Sequence, residues 1–277
     1  QYYLGFGYFN QQGIIDKSSY ERFSLQLNNT YNLSEHVRMG NNLTFAPYTQ
    51  QNTANATYAA YRAQPVVEPF NEDGTYGEVP GVGNPLSDIE TTNDFEKGLR
   101  TVGNLFAEVS FLRGFTFRSS FGADMGFQKN RRFTPVFYVS PQQQNEINDL
   151  FVGNNENVTW LWENTLNYKK LIDKHSIDLL GGYTMQEATS EFLSASAMNI
   201  LGDTENLWYL NADNINPTTI KNGVDENLNY AIISYLFRAN YAYNNKYLLT
   251  ATFRRDGSSK FNAENRYSNF PSVAAGW

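Results

Sequence analysis

A strict alternation of apolar and polar residues, returning in segments about ten residues long, limits this chain more than any other feature of its sequence. In FSLQLNNTYNLSEHVRMGNNLTF, Phe23, Leu25, Leu27, Tyr31 and Leu33 share one parity, and Ser24, Gln26, Asn28, Thr30 and Asn32 share the other. After a short break, Val37, Met39, Leu43 and Phe45 resume against Arg38, Gly40, Asn42 and Thr44. Strand side chains point to alternate faces, so a hairpin with one apolar and one polar face is expected. The pattern recurs in NLFAEVSFL (Leu105, Ala107, Val109, Phe111), FTFRSSFGADMGF (Phe115, Phe117, Phe121, Ala123, Met125, Phe127) and VTWLWENTLNY (Val158, Trp160, Trp162, Leu166, Tyr168). It returns in SIDLLGGYTM (Ile177, Leu179, Tyr183, Met185), ISYLFRANYAY (Ile233, Tyr235, Phe237, Tyr241, Tyr243) and YLLTATFRR (Tyr247, Leu249, Phe253). Strands of this length suit a tilted crossing of a bilayer.

The apolar parity of these segments is read as free of Asp, Glu, Lys and Arg. The other carries Arg38, Glu108, Arg118, Asp124, Glu163, Asp178, Arg238 and Arg254 among many small polar residues. A soluble sandwich would also keep charge off its inner face, so the connections carry the decision. They alternate between short (Ser34 to His36, Arg113-Gly114, Lys170 to Lys174, Asn244 to Lys246) and long (10–20, 48–98, 129–155, 187–227). Outer-membrane barrels have this arrangement, with tight periplasmic turns and long extracellular loops. Tyr31, Phe111, Phe115, Tyr168, Tyr243 and Tyr247 gather at the short-turn ends, as an interfacial girdle does. The expected fold is all-β: an antiparallel transmembrane β-barrel wall of about ten strands, its apolar face toward lipid and its polar face toward a lumen. The long loops and the small polar-face residues point to part of a larger, plugged barrel. The chain opens inside one strand-like run, QYYLGFGYF, and closes on Trp277 inside another, so it is expected to be a piece of a longer protein.

Composition narrows the function. The net charge is -7 and no Lys/Arg cluster offers a phosphate-tracking surface, so no nucleic-acid partner is expected. No apolar run is long enough for a membrane-crossing helix, and no signal-peptide core opens the chain. Cysteine is absent, which leaves no disulfide framework and no thiolate metal site. His36 and His175 lack partner ligands at metal spacing and are expected to be surface residues. No Ser/His/Asp arrangement is legible, and Gly5-Phe6-Gly7 is expected to be wall strand, not a phosphate loop. No catalytic residue, cofactor or metal is expected, and the protein is not expected to be an enzyme. Glu72-Asp73-Gly74 and Asp256-Gly257 are expected to be turns, with a calcium role for the acidic pair as the alternative.

One stretch is more specific. YLLTATFRRDGSSKFNAENRYSNFPSVAAGW, from Tyr247 to Trp277, resembles the signature of SusC/RagA-type TonB-dependent outer-membrane transporters of Bacteroidota. The resemblance rests on Arg254 to Ser259, Phe261, Asn265 to Tyr267, Phe270 to Ser272 and Trp277. GYFNQQGIIDKSSYERFSLQLN is similar to the early barrel hairpin of that family, and EPFNEDGTYGEV with the following NPL to its long extracellular loop. The resemblance implies that residues 1–277 are part of the transmembrane barrel domain, with plug, TonB box and final strands outside this chain. It implies import of oligosaccharides or peptides across the outer membrane of a Gram-negative bacterium. The implied partners are a SusD-like surface lipoprotein, outer-membrane lipid, and TonB acting through the missing N-terminal part.

Candidate contacts follow from aromatics beside polar residues in the long loops: Tyr58, Tyr61, Arg62, Phe70, Tyr76, Phe137, Tyr138, Trp208 and Tyr209. Rings at such places stack on cargo or dock a lid, or else build small loop cores. NATYAAYRAQP is expected to be a short helix ended before Pro65. Arg118, Glu163, Arg238 and Arg254 are expected to line the lumen or meet the plug. Arg255 is expected, with Arg254, to meet the plug or line the lumen, and for both the alternative is ion pairing within the wall. Two other architectures remain open to sequence alone: a self-contained small outer-membrane barrel (adhesin or surface protease), and a soluble carbohydrate-binding β-protein.

Overall fold

The computed structural model describes residues 1–277. The early strands are β1 (Tyr2–Gln12), β2 (Ser19–Asn32) and β3 (Val37–Asn52). The following long loop carries helices α1 (Thr57–Arg62) and α2 (Pro85–Thr91). Next come β4 (Asn93–Phe111), β5 (Phe115–Thr134), the small strands β6 (Phe137–Ser140) and β7 (Gln143–Asn145), then β8 (Asp149–Ile172) and β9 (His175–Met198). The chain ends with β10 (Lys221–Val224), β11 (Tyr230–Tyr243), β12 (Tyr247–Ser258) and β13 (Tyr267–Gly276). Ten strands make one antiparallel meander in the order β1-β2-β3-β4-β5-β8-β9-β11-β12-β13, and β10 adds to β9. β6 and β7 form a hairpin of their own.

No second layer packs on this sheet, and only 19 of 277 residues are buried. A sandwich would sequester its apolar face against another sheet. Here Phe6, Phe121, Trp162, Phe237 and Phe253 stand exposed on one face. Water is the wrong solvent for such a face, and the register shows which solvent fits. From Phe111 to Leu99 on β4, Phe115 to Phe127 on β5, Tyr168 to Val158 on β8 and Ile177 to Met185 on β9, the apolar parity holds no acid or base. The next residues of that parity are Lys97, Lys129, Glu156 and Glu187. About ten tilted residues span roughly 25 Å, the height of the lipid-facing band of a membrane barrel. Polar atoms inside the band bond to one another, as hydrocarbon requires. Asn29 donates to Asn41 (3.3 Å), Asn41 to the Leu27 carbonyl (3.0 Å), and the Trp162 indole to Ser119 (3.0 Å).

Two expectations are corrected. The apolar parity is not free of charge throughout the quoted segments, because Arg255 shares the parity of Tyr247 and Phe253. It sits at the long-loop end, where charges return on other strands, with its guanidinium 4.8 Å from the centre of the Tyr267 ring. The long connections are also shorter than expected, since β8 and β9 run 24 residues each and rise well past the apolar band. Above lipid both faces meet polar surroundings, so alternation disappears while ladder hydrogen bonding continues.

At the other end the girdle aromatics meet in groups: Tyr2 with Tyr31 (5.4 Å between ring centres), Phe111 with Phe115 (5.8 Å) and Phe115 with Tyr168 (4.4 Å), and Tyr243 with Tyr247 (6.4 Å). His175 joins it, its Nδ1 2.7 Å from the Tyr241 hydroxyl. The turn between β4 and β5 depends on Gly114, whose φ is +97° and whose missing Cβ would lie 2.3 Å from the Lys169 carbonyl oxygen. Gly114→Ala is expected to cost about 2 kcal/mol, read as a lower urea midpoint for the full-length barrel refolded in vesicles.

Candidate functional site: the polar wall face and its loops

The polar face is a ladder of side chains satisfied across strands. On β3, β4 and β5, Glu108 lies between Arg38 (2.9 Å) and Arg118 (3.6 Å), and Arg118 also covers the Phe106 ring at 4.1 Å. Further along, Asn42 donates to Asn104 and Asn104 to Ser120. Arg100 clasps Asp124 with two bonds of 3.2 and 2.8 Å. Tyr48 donates to Glu96 (2.6 Å) while accepting from Gln128 (3.0 Å), and Asn130 donates to Asp94. On the later strands Asp178 holds Lys169 (3.3 Å) and Asn167 (2.7 Å).

Among the four charges expected to face a lumen, the structure separates two kinds. Arg118 and Arg254 are committed within the wall, the latter through Nε to both Asp256 oxygens (2.7 and 2.9 Å) and through a second nitrogen to Ser234 (3.3 Å). Glu163 and Arg238 are exposed on the same face and make no ion pair. The quoted signature therefore has a local structural job. Arg254 and Asp256 brace each other, Gly257 leaves room for the Tyr267 ring that a Cβ would strike at 2.4 Å, and Ser259 Oγ accepts from the Ala231 amide.

The loop candidates lie in three places. α1 ends at Arg62, two residues short of the residue before Pro65, and presents Tyr61 at 87% exposure beside exposed Tyr58, which accepts from Arg62 (3.1 Å). Phe70 and Tyr76 face each other across an isolated antiparallel bridge with ring centres 5.3 Å apart. At its tip Gly74 has φ +83°, and Thr75 donates from its hydroxyl and its N–H to Asp73. Those bonds hold the Asp73 carboxyl below its usual range, the hydroxyl first, and make Asp73 part of the turn. Asn84 organises the base of this loop. It is fully buried, caps α2 by accepting from Leu86 and Ser87, donates to the Pro69 and Gly77 carbonyls, and exchanges bonds with Gln143. Phe137 and exposed Tyr138 belong to the β6–β7 hairpin.

Trp208 and Tyr209 lie elsewhere. Phe133, Leu150 and Ala197 form one row on the apolar-parity side above the charged residues, and the segment after β9 folds over it. Trp208, 3% exposed, stacks on Phe133 at 4.8 Å between ring centres, with Ile200 beside it. Asn148 clips the segment in place, donating to the Ile200 carbonyl and accepting from its amide. Tyr209 remains exposed and receives the Arg131 guanidinium at 4.8 Å. Sequence reasoning missed this roofed row and the charged belt beneath it. Counting parity onward from Phe127 reaches Lys129, Arg131 and Phe133 and would have found both.

No family model matches the chain. Over its full length it is 32% identical to the TonB-dependent receptor P26 of Formosa agariphila, and 24% identical to the TonB-dependent receptor SusC of Bacteroides thetaiotaomicron. It spans 28% and 29% of the lengths of those relatives. Its fold matches 32% of a chain in the structure of the RagAB peptide transporter, with a TM-score of 0.83, 20% identity and 99% of this chain covered. A more distant match is BauA, the ferric preacinetobactin receptor of Acinetobacter baumannii, with a TM-score of 0.52 and 11% identity.

Proposed function

This chain is homologous along its whole length to the TonB-dependent receptors of the SusC/RagA type, and on that premise we propose that it is wall from an active importer of the outer membrane. The full protein would draw oligosaccharides or peptides through a plugged barrel, with energy relayed by TonB and a SusD-like lipoprotein seated over the long loops. Residues 1–277 all belong to the barrel domain in this reading, while plug and TonB box belong to the remainder of the protein. The chemistry is binding and gated passage, with no covalent step.

One observation carries the proposal: a single-layer sheet whose two faces differ as lipid and water do. The apolar face keeps its acids and bases out of a band of membrane height. The polar face pairs many of its charges internally. A wall satisfied in this way stays smooth to passing cargo, because fewer charges are left to trap it. Among the charges on that face without an ion pair, Glu163 and Arg238 are the proposed plug or cargo contacts. Tyr58, Tyr61, Arg62 and Tyr138, exposed on the loops, are the proposed cargo or lid contacts. Phe70 and Tyr76 join them through the bridged loop tip. Trp208 would hold the loop that presents Tyr209.

The test is isolation of the native full-length protein from detergent-solubilised outer membrane, with mass spectrometry of everything retained. A stoichiometric surface lipoprotein is expected, and a co-purified oligosaccharide or peptide would name the cargo class. A protein of about this chain's length, free of partner and plug, would overturn the importer reading in favour of a small self-contained barrel.

A further inference from the structure

Above the uncharged band, the apolar parity carries an arrangement that transport does not use. Lys97 on β4 and Lys129 on β5 are direct cross-strand partners, and both are exposed. Like charges placed directly opposite weaken a ladder unless something lies between them. Beside them Glu156 on β8 and Glu191 on β9 are opposed in the same way. Lys97 reaches Glu205 at 2.8 Å, on the segment that roofs the wall, whereas Lys129 has no ion pair. A groove of about 510 Å³ runs among these four residues, floored by Leu99 and Phe127. Leu99 and Phe127 are the last apolar residues of the band on their strands. Moving away from the membrane, the groove therefore passes from apolar side chains to a pair of ammonium groups, with carboxylates alongside.

We propose that this groove binds the phosphorylated headgroup of an outer-leaflet glycolipid. The phosphate lies against Lys129, the ammonium group without a counter-charge, and shares Lys97 with Glu205. The acyl chains run along Leu99 and Phe127, and sugar hydroxyls donate to Glu156 and Glu191. Each feature selects against a simpler ligand. A free phosphate has no use for the apolar floor, and a neutral lipid leaves Lys129 without a counter-charge. The site rests on the lipid-facing assignment of the apolar face, which Leu27→Arg tests independently.

The experiment is native mass spectrometry of the full-length protein titrated with bisphosphorylated lipid A, with dephosphorylated lipid A, and with inorganic phosphate as competitor. The expected result is at least tenfold preference for the phosphorylated lipid, about 30-fold weaker binding in the Lys97→Gln/Lys129→Gln double variant, and no competition by millimolar phosphate. Equal binding of the two lipids, or unchanged binding by an assembled double variant, overturns the site. Competition by free phosphate as strong as that of the lipid also overturns it, reducing the lysines to an anion patch. If the double variant does not assemble, the comparison of the two lipids on the unaltered protein decides. Loss of lipid discrimination while Leu27→Arg still blocks assembly removes only this proposal; normal assembly of Leu27→Arg removes the lipid-facing face itself.

Discussion

Leu27→Arg is expected to leave the full-length protein unassembled in the outer membrane, at a cost of about 2–4 kcal/mol. Leu27 sits between Leu4 and Leu43 on the apolar face, midway along β2 between Tyr31 at the girdle and Phe23 near the far edge of the band. A guanidinium there has about the longest path to either interface, and no acid shares its face within the band. Asn28, the next residue, lies between Tyr3 and Asn42 on the polar face. Asn28→Arg adds the same charge and bulk to the same strand, so it should assemble normally. The difference between the two variants thus isolates the solvent of each face from strand propensity and size. Heat-modifiable electrophoretic migration of outer-membrane fractions reads it directly. Equal assembly of both variants would falsify the lipid-facing assignment.

That contrast was available from sequence because parity is a local property, readable wherever one face meets lipid. The ten-strand meander followed from it, as did the four tight turns and the girdle from Tyr31 to Tyr247. Legibility failed where the solvent argument failed. Above the band, Lys129 and Glu156 continue regular strands on the apolar parity, but their charges interrupt the alternation, and only parity counted on from Phe127 keeps that face in view. The same blindness placed Arg255 among wall charges without revealing which face it occupied. Pairing partners were a second limit. Sequence marked Arg118, Glu163, Arg238 and Arg254 as one set of polar-face charges, but only the structure shows that Arg118 is committed across strands to Glu108, Arg254 along its own strand to Asp256, and the other two to no ion pair. Loop aromatics were the third. Trp208 and Tyr209 are adjacent in sequence and similar in chemistry, yet one is buried and the other exposed, because Asn148 fixes how the segment after β9 lies on the wall.

Trp208→Ala is expected to release that segment while leaving the barrel intact. Its ring fills the space over Phe133, Leu150 and Ala197, with Phe95 on its flank at 5.9 Å between ring centres. Removing a buried tryptophan costs about 3–5 kcal/mol in a close-packed core. This core is small and joins only one loop to a sheet that is hydrogen-bonded independently, so the loss falls on local opening. The measurement is limited proteolysis of the full-length protein in detergent: cleavage between residues 199 and 216 should rise steeply, while heat-modifiable migration stays as it was. Trp208→Phe gives the decisive contrast. The Trp208 Nε1 is buried without a hydrogen-bond partner, so phenylalanine keeps the stack on Phe133 and discards an unsatisfied donor. It should protect the loop nearly as well as tryptophan. If instead Trp208→Phe opens the loop as fully as Trp208→Ala, the indole nitrogen is engaged by something outside the row of Phe133, Leu150 and Ala197, and packing alone does not explain why a tryptophan stands there.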